Sequence, residues 1–463
     1  MASTYLTRTT GTPTLGTKCT VSVWVKISEV PAGSGSDRWI FGEYGNGSNH
    51  SYLYLRNSSE IGWYEADGSG AVASIITKRL CRDLSGWYHF MIAYDTTLAT
   101  QADRFKMYIN GERITEFSTN TNNITQNYLP RINKASRTYH IGGVNGVQTM
   151  FNGLMSHYHH CDGQALAPTV FGSTDALTGE WKINASPTFT PGNNGFTILK
   201  DGNTITDQSA NSNNFTLAGG TLTKSEDNPS NVFNTMSPLS TAYFDSQYSF
   251  AHGNTYLEGN NTNNWKLPIP GTLAANKGKY YWEVKQTSGS HTDYNIFGFA
   301  KANGYWTDTT SYSNGAQNSM QTANSATVTV YGQSGTHSNY VKIGGSAVSI
   351  TDNDIVSFAL DLDNRKCWLA KNGVWVDDDS GNANGASINS SYPLWNTDDI
   401  SADTFYTPIS VQYYDPQCYY NFGNGYFGNT AVSSAGTNAS NNGIFEHDVP
   451  AGFTALSTKG LNI

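Results

Sequence analysis

From Thr20 to Ile27 the side chains alternate: Val21, Val23, Val25 and Ile27 on one side, Ser22, Trp24 and Lys26 on the other. A period of two belongs to the β-strand, so this segment presents one apolar face to a sheet core. Gly86–Asp95 is apolar on both faces through Trp87, Tyr88, Phe90, Met91 and Ile92, the pattern of a central sandwich strand. Arg104–Ile109 alternates again, with Phe105, Met107 and Ile109 inward, and runs into Asn110-Gly111 and then Glu112-Arg113-Ile114. Asn-Gly between two such runs predicts a type I′ hairpin, because both turn residues need positive φ. Ser51–Arg56, His140–Gly143 and Phe151–Tyr158 add short strands, so the first 160 or so residues read as an antiparallel sandwich.

The second half follows the same logic. Tyr280–Lys285, Asn295–Ala300 and Asp354–Asp361 are strands, and Lys366–Lys371 leads through Asn372-Gly373 into Val374-Trp375-Val376. A chain of 463 residues is too long for one core. Only 14% of its residues are charged, while 13% are aromatic and 46 are Gly, which disfavours solvated helices and suits strands and turns. The net charge of −9, without any Lys/Arg cluster, argues against a nucleic-acid partner. No run of 18 apolar residues occurs, so no membrane insertion is expected, and residues 1–20 lack the pattern of a signal peptide. Cys19, Cys81, Cys161, Cys367 and Cys418 are scattered and odd in number, which predicts buried thiols made in a reducing cytoplasm.

Between the halves, residues 171–240 are rich in Asn, Thr, Ser and Gly. About 70 residues is long for a structureless linker. The spaced Phe196, Ile198, Phe215 and Leu217 predict that the segment packs along the domains. The expected architecture is all-β: two antiparallel jelly-roll sandwiches over residues 1–170 and 241–463, joined by an extended packed connector over 171–240.

The first domain resembles the laminin-G/concanavalin A-like jelly roll, through Ser22-Val23-Trp24-Val25-Lys26, Gly86-Trp87-Tyr88-His89-Phe90, Tyr108-Ile109-Asn110-Gly111 and Phe151-Asn152-Gly153-Leu154-Met155. The second resembles a SPRY domain. Its marks are Lys279-Tyr280-Tyr281-Trp282-Glu283-Val284, Phe297-Gly298-Phe299-Ala300, Val356–Asp361, Lys371-Asn372-Gly373-Val374 and Asn421-Phe422-Gly423, with the end Pro450–Thr458. The connector opening Asp162-Gly163-Gln164-Ala165-Leu166-Ala167-Pro168, followed by Phe171-Gly172, is similar to structural proteins of marine tailed bacteriophages. That resemblance implies a virion protein made in the bacterial cytoplasm and displayed on the virion surface. Its implied tasks are those of a tail fibre, head fibre or capsid decoration, with other virion proteins as partners and commonly a homo-oligomer. It also implies a strand ahead of the Tyr5-Leu6-x-Arg8 region. The chain starts almost at that region, so an edge of the first sheet is expected to be open for a neighbouring subunit.

Concanavalin A-like glucanases use paired carboxylates in an E-x-D-x-x-E strand motif. The nearest matches, Glu65-Ala66-Asp67 and Glu446-His447-Asp448, lack the second Glu, so no catalytic residue is assigned and no enzyme is expected. His157 and His159 would share a strand face and are weak metal candidates beside His160, Cys161 and Asp162, with a solvent or interface strand the favoured alternative. Asp352/Asp354 and Asp377-Asp378-Asp379 offer oxygens for Ca²⁺, though a solvated loop is the simpler reading, and no cofactor is otherwise expected. Sugar binding needs aromatic faces beside polar groups. Tyr44 with Asn46, Trp63-Tyr64, Tyr305-Trp306 and Tyr413-Tyr414 lie near turn-rich sequence and are the candidate residues for host-surface carbohydrate. The alternative function is a carbohydrate-active enzyme or a free lectin of the concanavalin A-like fold.

Overall fold

The computed structural model describes residues 4–29, 31, 35–68, 70–144, 149–200, 202, 204–241, 248–260, 268–287, 294–302, 330–331, 342–343, 346–347, 352–377, 382, 384–397, 400–413 and 415–462. Among them there is no α-helix, and no helix long and apolar enough to cross a membrane. The contacts divide the chain into two units: Met1–Lys224 with Asn228–Ser230, and Ser225–Asp227 with Asn231–Ile463. The segment set apart in the sequence as a connector, 171–240, therefore belongs to the first unit as far as Lys224.

The strands of unit 1 begin with β1 (Tyr5–Thr9), β2 (Lys18–Ile27), β3 (Arg38–Asn46), β4 (Asn49–Leu55), β5 (Glu60–Asp67) and β6 (Ala71–Leu80). They continue with β7 (Tyr88–Asp95), β8 (Phe105–Ile109), β9 (Glu112–Arg113), β10 (Phe117–Asn122), β11 (Thr138–Ile141) and β12 (Thr149–Met150). The last are β13 (Gly153–Asp162), β14 (Gly172–Thr174), β15 (Trp181–Ile183), β16 (Phe196–Ile198) and β17 (Thr216–Gly219). One sheet runs β10-β6-β5-β4-β3-β11-β1-β17, with β12 beside β3, and the facing sheet runs β16-β13-β2-β7-β8-β9. The alternation in β2 has the expected consequence: Val21, Val23, Val25 and Ile27 share one core with Phe41, Leu53, Leu55, Ile61, Trp63 and Ile75 of the facing sheet. Each such side chain stabilises the fold by roughly 1.5–3 kcal/mol through burial. Both Asn-Gly hairpins form, with φ of 51° and 75° at Asn110 and Gly111 and 48° and 80° at Asn372 and Gly373.

The connector changes the first sandwich most. Its strand β16 pairs with β13, setting Ile198 opposite Tyr158 and Phe196 opposite His160. Its strand β17 pairs with β1, setting Leu217 opposite Leu6 and Thr216 opposite Thr7. Each connector strand thus closes the edge of one sheet within the same chain. The open first edge expected for a neighbouring subunit is already covered by β17. Phe196, Ile198 and Phe215 enter the core, whereas Leu217 stays exposed. The Asn-rich loop folds around Asp207, whose carboxylate accepts bonds from the backbone N–H groups of Thr197, Ser209 and Asn213.

The opening of the connector is a stapled turn. Asp162 Oδ2 accepts from the backbone N–H of Thr14 (2.6 Å) and Asn194 (3.2 Å), and its Oδ1 from Asn133 Nδ2 (2.9 Å). Thr20 Oγ1 donates to the Gln164 carbonyl and accepts from the Leu166 N–H. The Asp-Gly-Gln-Ala-Leu word therefore ties the β1–β2 loop, β2 and the connector together.

Unit 2 is a second antiparallel sandwich. Its larger sheet holds Tyr248–Ala251, Tyr256–Gly259, Gln417–Asn421, Lys279–Thr287, Ile355–Asp361, Lys366–Lys371 and Val374–Trp375, with Thr454–Ala455 beside Lys279–Thr287. Its smaller sheet holds Ile269–Pro270, Tyr406–Tyr413, Tyr294–Lys301 and Val330–Tyr331. Trp282, Val284, Phe297, Phe299, Val356 and Phe358 meet in the core. Outside the larger sheet, the C-terminal segment covers Tyr281 and Trp368 with Phe445 and Phe453. Glu283 holds that cover by accepting the backbone N–H groups of Glu446 and His447, both at 2.9 Å. Burial pushes its carboxyl up to about 7, against those bonds.

Candidate carbohydrate-binding surface

The outer face of the first sheet of unit 1 is aromatic. A register shift between Trp39 and Phe41 sends Ile40 and Phe41 into the core and leaves Trp39 in a separate outer cluster with Tyr54 and Val144. The pairing of β3, β4 and β5 then sets Tyr44 opposite His50, Gly42 opposite Tyr52, Tyr52 opposite Tyr64 and Tyr54 opposite Gly62. Trp39 stacks on Tyr52 with ring centroids 3.7 Å apart. Tyr44, His50 and Tyr64 form a near-parallel run, at 6.1 Å and then 5.4 Å between centroids. Trp39 and Tyr54 are buried in this cluster, while Tyr44, His50, Tyr52 and Tyr64 are half-buried. Gly62 is required here, because a Cβ would run into the ring of Tyr54 that occupies its place.

Burial raises the Tyr54 phenol to about 12, and that of Tyr52 further, with neighbouring tyrosines and Asp37 acting in the same sense. Both hydroxyls therefore stay protonated at neutral pH. The arginines near this face are committed: Arg38 to Glu29 (Nε–Oε1, 2.7 Å) and Arg56 to Glu60 (2.9 Å). The chemistry on offer is apolar ring surface, neutral hydroxyls and the His50 imidazole, with the Asp37 carboxylate nearby.

Two predicted ligand residues, Tyr44 and Tyr64, come together on this tract. Trp63 does not. Adjacent strand residues point to opposite faces, so Trp63 is fully buried and donates Nε1–H to Tyr94 Oη at 2.8 Å. Tyr305, Trp306 and Tyr414 lie outside the described residues; Tyr413 ends its strand with its backbone opposite Tyr294. Trp39, His50, Tyr52 and Tyr54 were missed. The signal was present in residues 50–54, where His50, Tyr52 and Tyr54 share one face at period two.

The glucanase-like carboxylates are each engaged within the fold. Glu65 is fully buried in β5, where it accepts from Tyr94 Oη (2.6 Å), Tyr128 Oη (2.8 Å) and the Arg131 N–H (2.8 Å). Asp67 pairs with Arg131 (2.8 Å) and Lys134 (2.6 Å), which hold it below its ordinary value despite partial burial. Glu446 accepts from the Ser433 N–H, and Asp448 from that of Thr437, each bracing a loop.

Of the readings given for the histidines, the solvent position needs correction. The register of β13 against β2 slips between Ser156 and His159, and His157 takes a φ of 48°. This bulge interrupts the period of two, yet the His157 and His159 rings still lie 6.4 Å apart between centroids. His159 packs on Phe171 and Phe189 of the connector and bonds Thr197 Oγ1 at 2.9 Å; burial lowers it to about 3. His160 lies against Tyr139 and Phe196, lowered by burial to about 4. Neither is a solvent position, because the connector covers both. Among the described residues no group of three His, Cys, Asp or Glu side chains is placed to hold a metal. Asp354 is engaged by Lys371 (2.8 Å) and Asn372 (2.7 Å), Asp377 is buried, and Asp378 and Asp379 lie outside the described residues. All five cysteines are free and buried.

Comparison with known proteins places the first sandwich. Residues 2–168 match the laminin-G-type model of the concanavalin A-like lectin/glucanases superfamily. No curated protein matches the chain. A putative carbohydrate binding protein from Bacteroides ovatus is similar at 15% identity and a TM-score of 0.32, over 48% of this chain and 58% of that one. The heptameric SAP-like pentraxin of Limulus polyphemus is similar at 17% identity and 0.26, over 36% and 72%. The SPRY domain of human HERC1 is similar at 12% identity and 0.23, over 40% and 96%.

Proposed function

We propose that this is a non-catalytic carbohydrate-binding protein whose first sandwich engages glycans through the outer tract of Tyr44, His50, Tyr52 and Tyr64. The observation that carries this reading is the run of half-buried rings across β3, β4 and β5 on the outer face of the first sheet. Aromatic surface beside hydroxyls suits the C–H faces and hydroxyl groups of a pyranose. With Arg38 and Arg56 ion-paired, the tract favours neutral over acidic sugars. The proposed setting is the surface of a bacteriophage particle, as a tail-fibre, head-fibre or capsid-decoration subunit meeting host-surface glycans and other virion proteins. That setting rests on the order of motifs around the Asp162–Pro168 turn.

The runner-up is a glycan-cleaving enzyme of the same fold. Glu65 speaks against it, since a fully buried carboxylate with three donors reaches no substrate. A glycan array read together with a reducing-sugar assay on the same polysaccharides separates the two. Binding to neutral glycans without turnover is expected; turnover of any polysaccharide sinks the non-catalytic reading.

A further inference from the structure

His89, on the outer face of β7, lies between two indoles from different parts of the chain. Trp24 of β2 stacks on it at 5.1 Å, and Trp181 of the connector lies nearly parallel to it (14°, centroids 6.0 Å apart) and donates Nε1–H to His89 Nδ1 at 3.1 Å. Because Nδ1 accepts that bond, the ring hydrogen sits on Nε2, which donates to Ser22 Oγ at 2.8 Å. Both nitrogens are committed in the neutral ring. Trp181 also lies over Gly111 of the hairpin turn, where a Cβ would enter its ring. The Trp181 indole therefore fastens the far strand of the β14–β15 hairpin to the second sheet, while Phe171 anchors the chain just before β14 against Met91 and Ala93.

We propose that the β14–β15 hairpin is an acid-released latch, held by the Trp181–His89 bond and freed when His89 gains a proton at Nδ1. That proton would set two N–H donors against each other, so Trp181 has to leave. Burial supplies the second half of the argument: it lowers His89 to about 3, with no charged partner to offset it. The titratable groups on the surrounding elements are Lys26 on β2, Tyr108 on β8, and His157 and His159 on β13. On the hairpin itself, Asp175 pairs with Lys182 at 2.8 Å. A folded value below the ordinary one places the latch's stability above about pH 6.5, and that stability is lost as pH falls.

Once lifted, a two-stranded hairpin has little stability of its own, so its amides report the release. Hydrogen exchange on the full chain, corrected for intrinsic rates, is the test. Between pH 7.5 and 5.5 the opening of residues 172–183 is expected to rise about tenfold, while β2 and β7 stay protected. His89→Gln keeps an acceptor for Trp181 and a donor for Ser22 without titrating, so its hairpin should show no pH response; His159→Gln should keep the response. A flat wild-type profile, an unchanged response in His89→Gln, or opening of β2 and β7 in step with the hairpin would overturn the latch.

Discussion

Replacing Arg131 by Met is expected to lower the stability of unit 1 by about 3–5 kcal/mol, the usual cost of removing one partner from a buried charge pair. The guanidinium is fully buried and grips Glu43 through Nε (2.7 Å) and NH2 (3.0 Å), and Asp67 and Asn49 through NH1 (2.8 and 3.0 Å). Burial already raises the Glu43 carboxyl against this pairing, so without Arg131 a buried acid on β3 would lose its bonded partner. Thermal unfolding should move down by roughly 10 °C for a unit of this size. Arg79→Ala, which breaks an exposed pair with Glu112, should leave the midpoint almost unchanged. Equal midpoints for the two variants would mean that the buried network is not holding the sandwich.

A comparable loss is expected from a residue that the sequence places in the connector. Phe196→Ala removes a fully buried ring that meets Tyr139, Tyr158 and Phe215 at centroid distances of 4.7–5.6 Å. Deletion of a ring from such a site costs about 3–5 kcal/mol. If residues 171–224 were a linker, the substitution would be silent. Denaturant unfolding followed by the fluorescence of unit 1 decides between these outcomes, and a change below about 1 kcal/mol would contradict the role given to β16.

Val21, Val23, Val25 and Ile27, and the two Asn-Gly turns, made both sandwiches legible because a period of two and a positive-φ turn are local properties. The strands β16 and β17 were not legible. They are three and four residues long and derive their conformation from β13 and β1, distant in sequence. The face of β2 that carries Ser22, Trp24 and Lys26, opposite the apolar one, is buried too, with Ser22 and Trp24 against His89 of β7. The pair Trp63-Tyr64 shows the resolution of sequence reasoning at a site: strand geometry sends one ring to the core and its neighbour to the surface, and the letters alone do not say which. The bulge at His157 was not legible either, though it leaves the His157 and His159 rings 6.4 Å apart between centroids. The Asp162–Pro168 turn resembles a kind of particle protein; its physical task is to fasten the connector that adds one edge strand to each sheet.

The central claim, glycan binding by the outer tract, is tested most directly by affinity electrophoresis of the full chain through gels containing neutral polysaccharides: β-1,3-glucan, galactomannan or xylan. The wild type should be retarded by at least one of them. Tyr44→Ala/Tyr64→Ala should bind at least tenfold more weakly, as loss of a central aromatic contact implies, while Tyr256→Ala in unit 2 should migrate like the wild type. A wild type that runs unretarded in every gel, or a double variant retarded as strongly as the wild type, would contradict it.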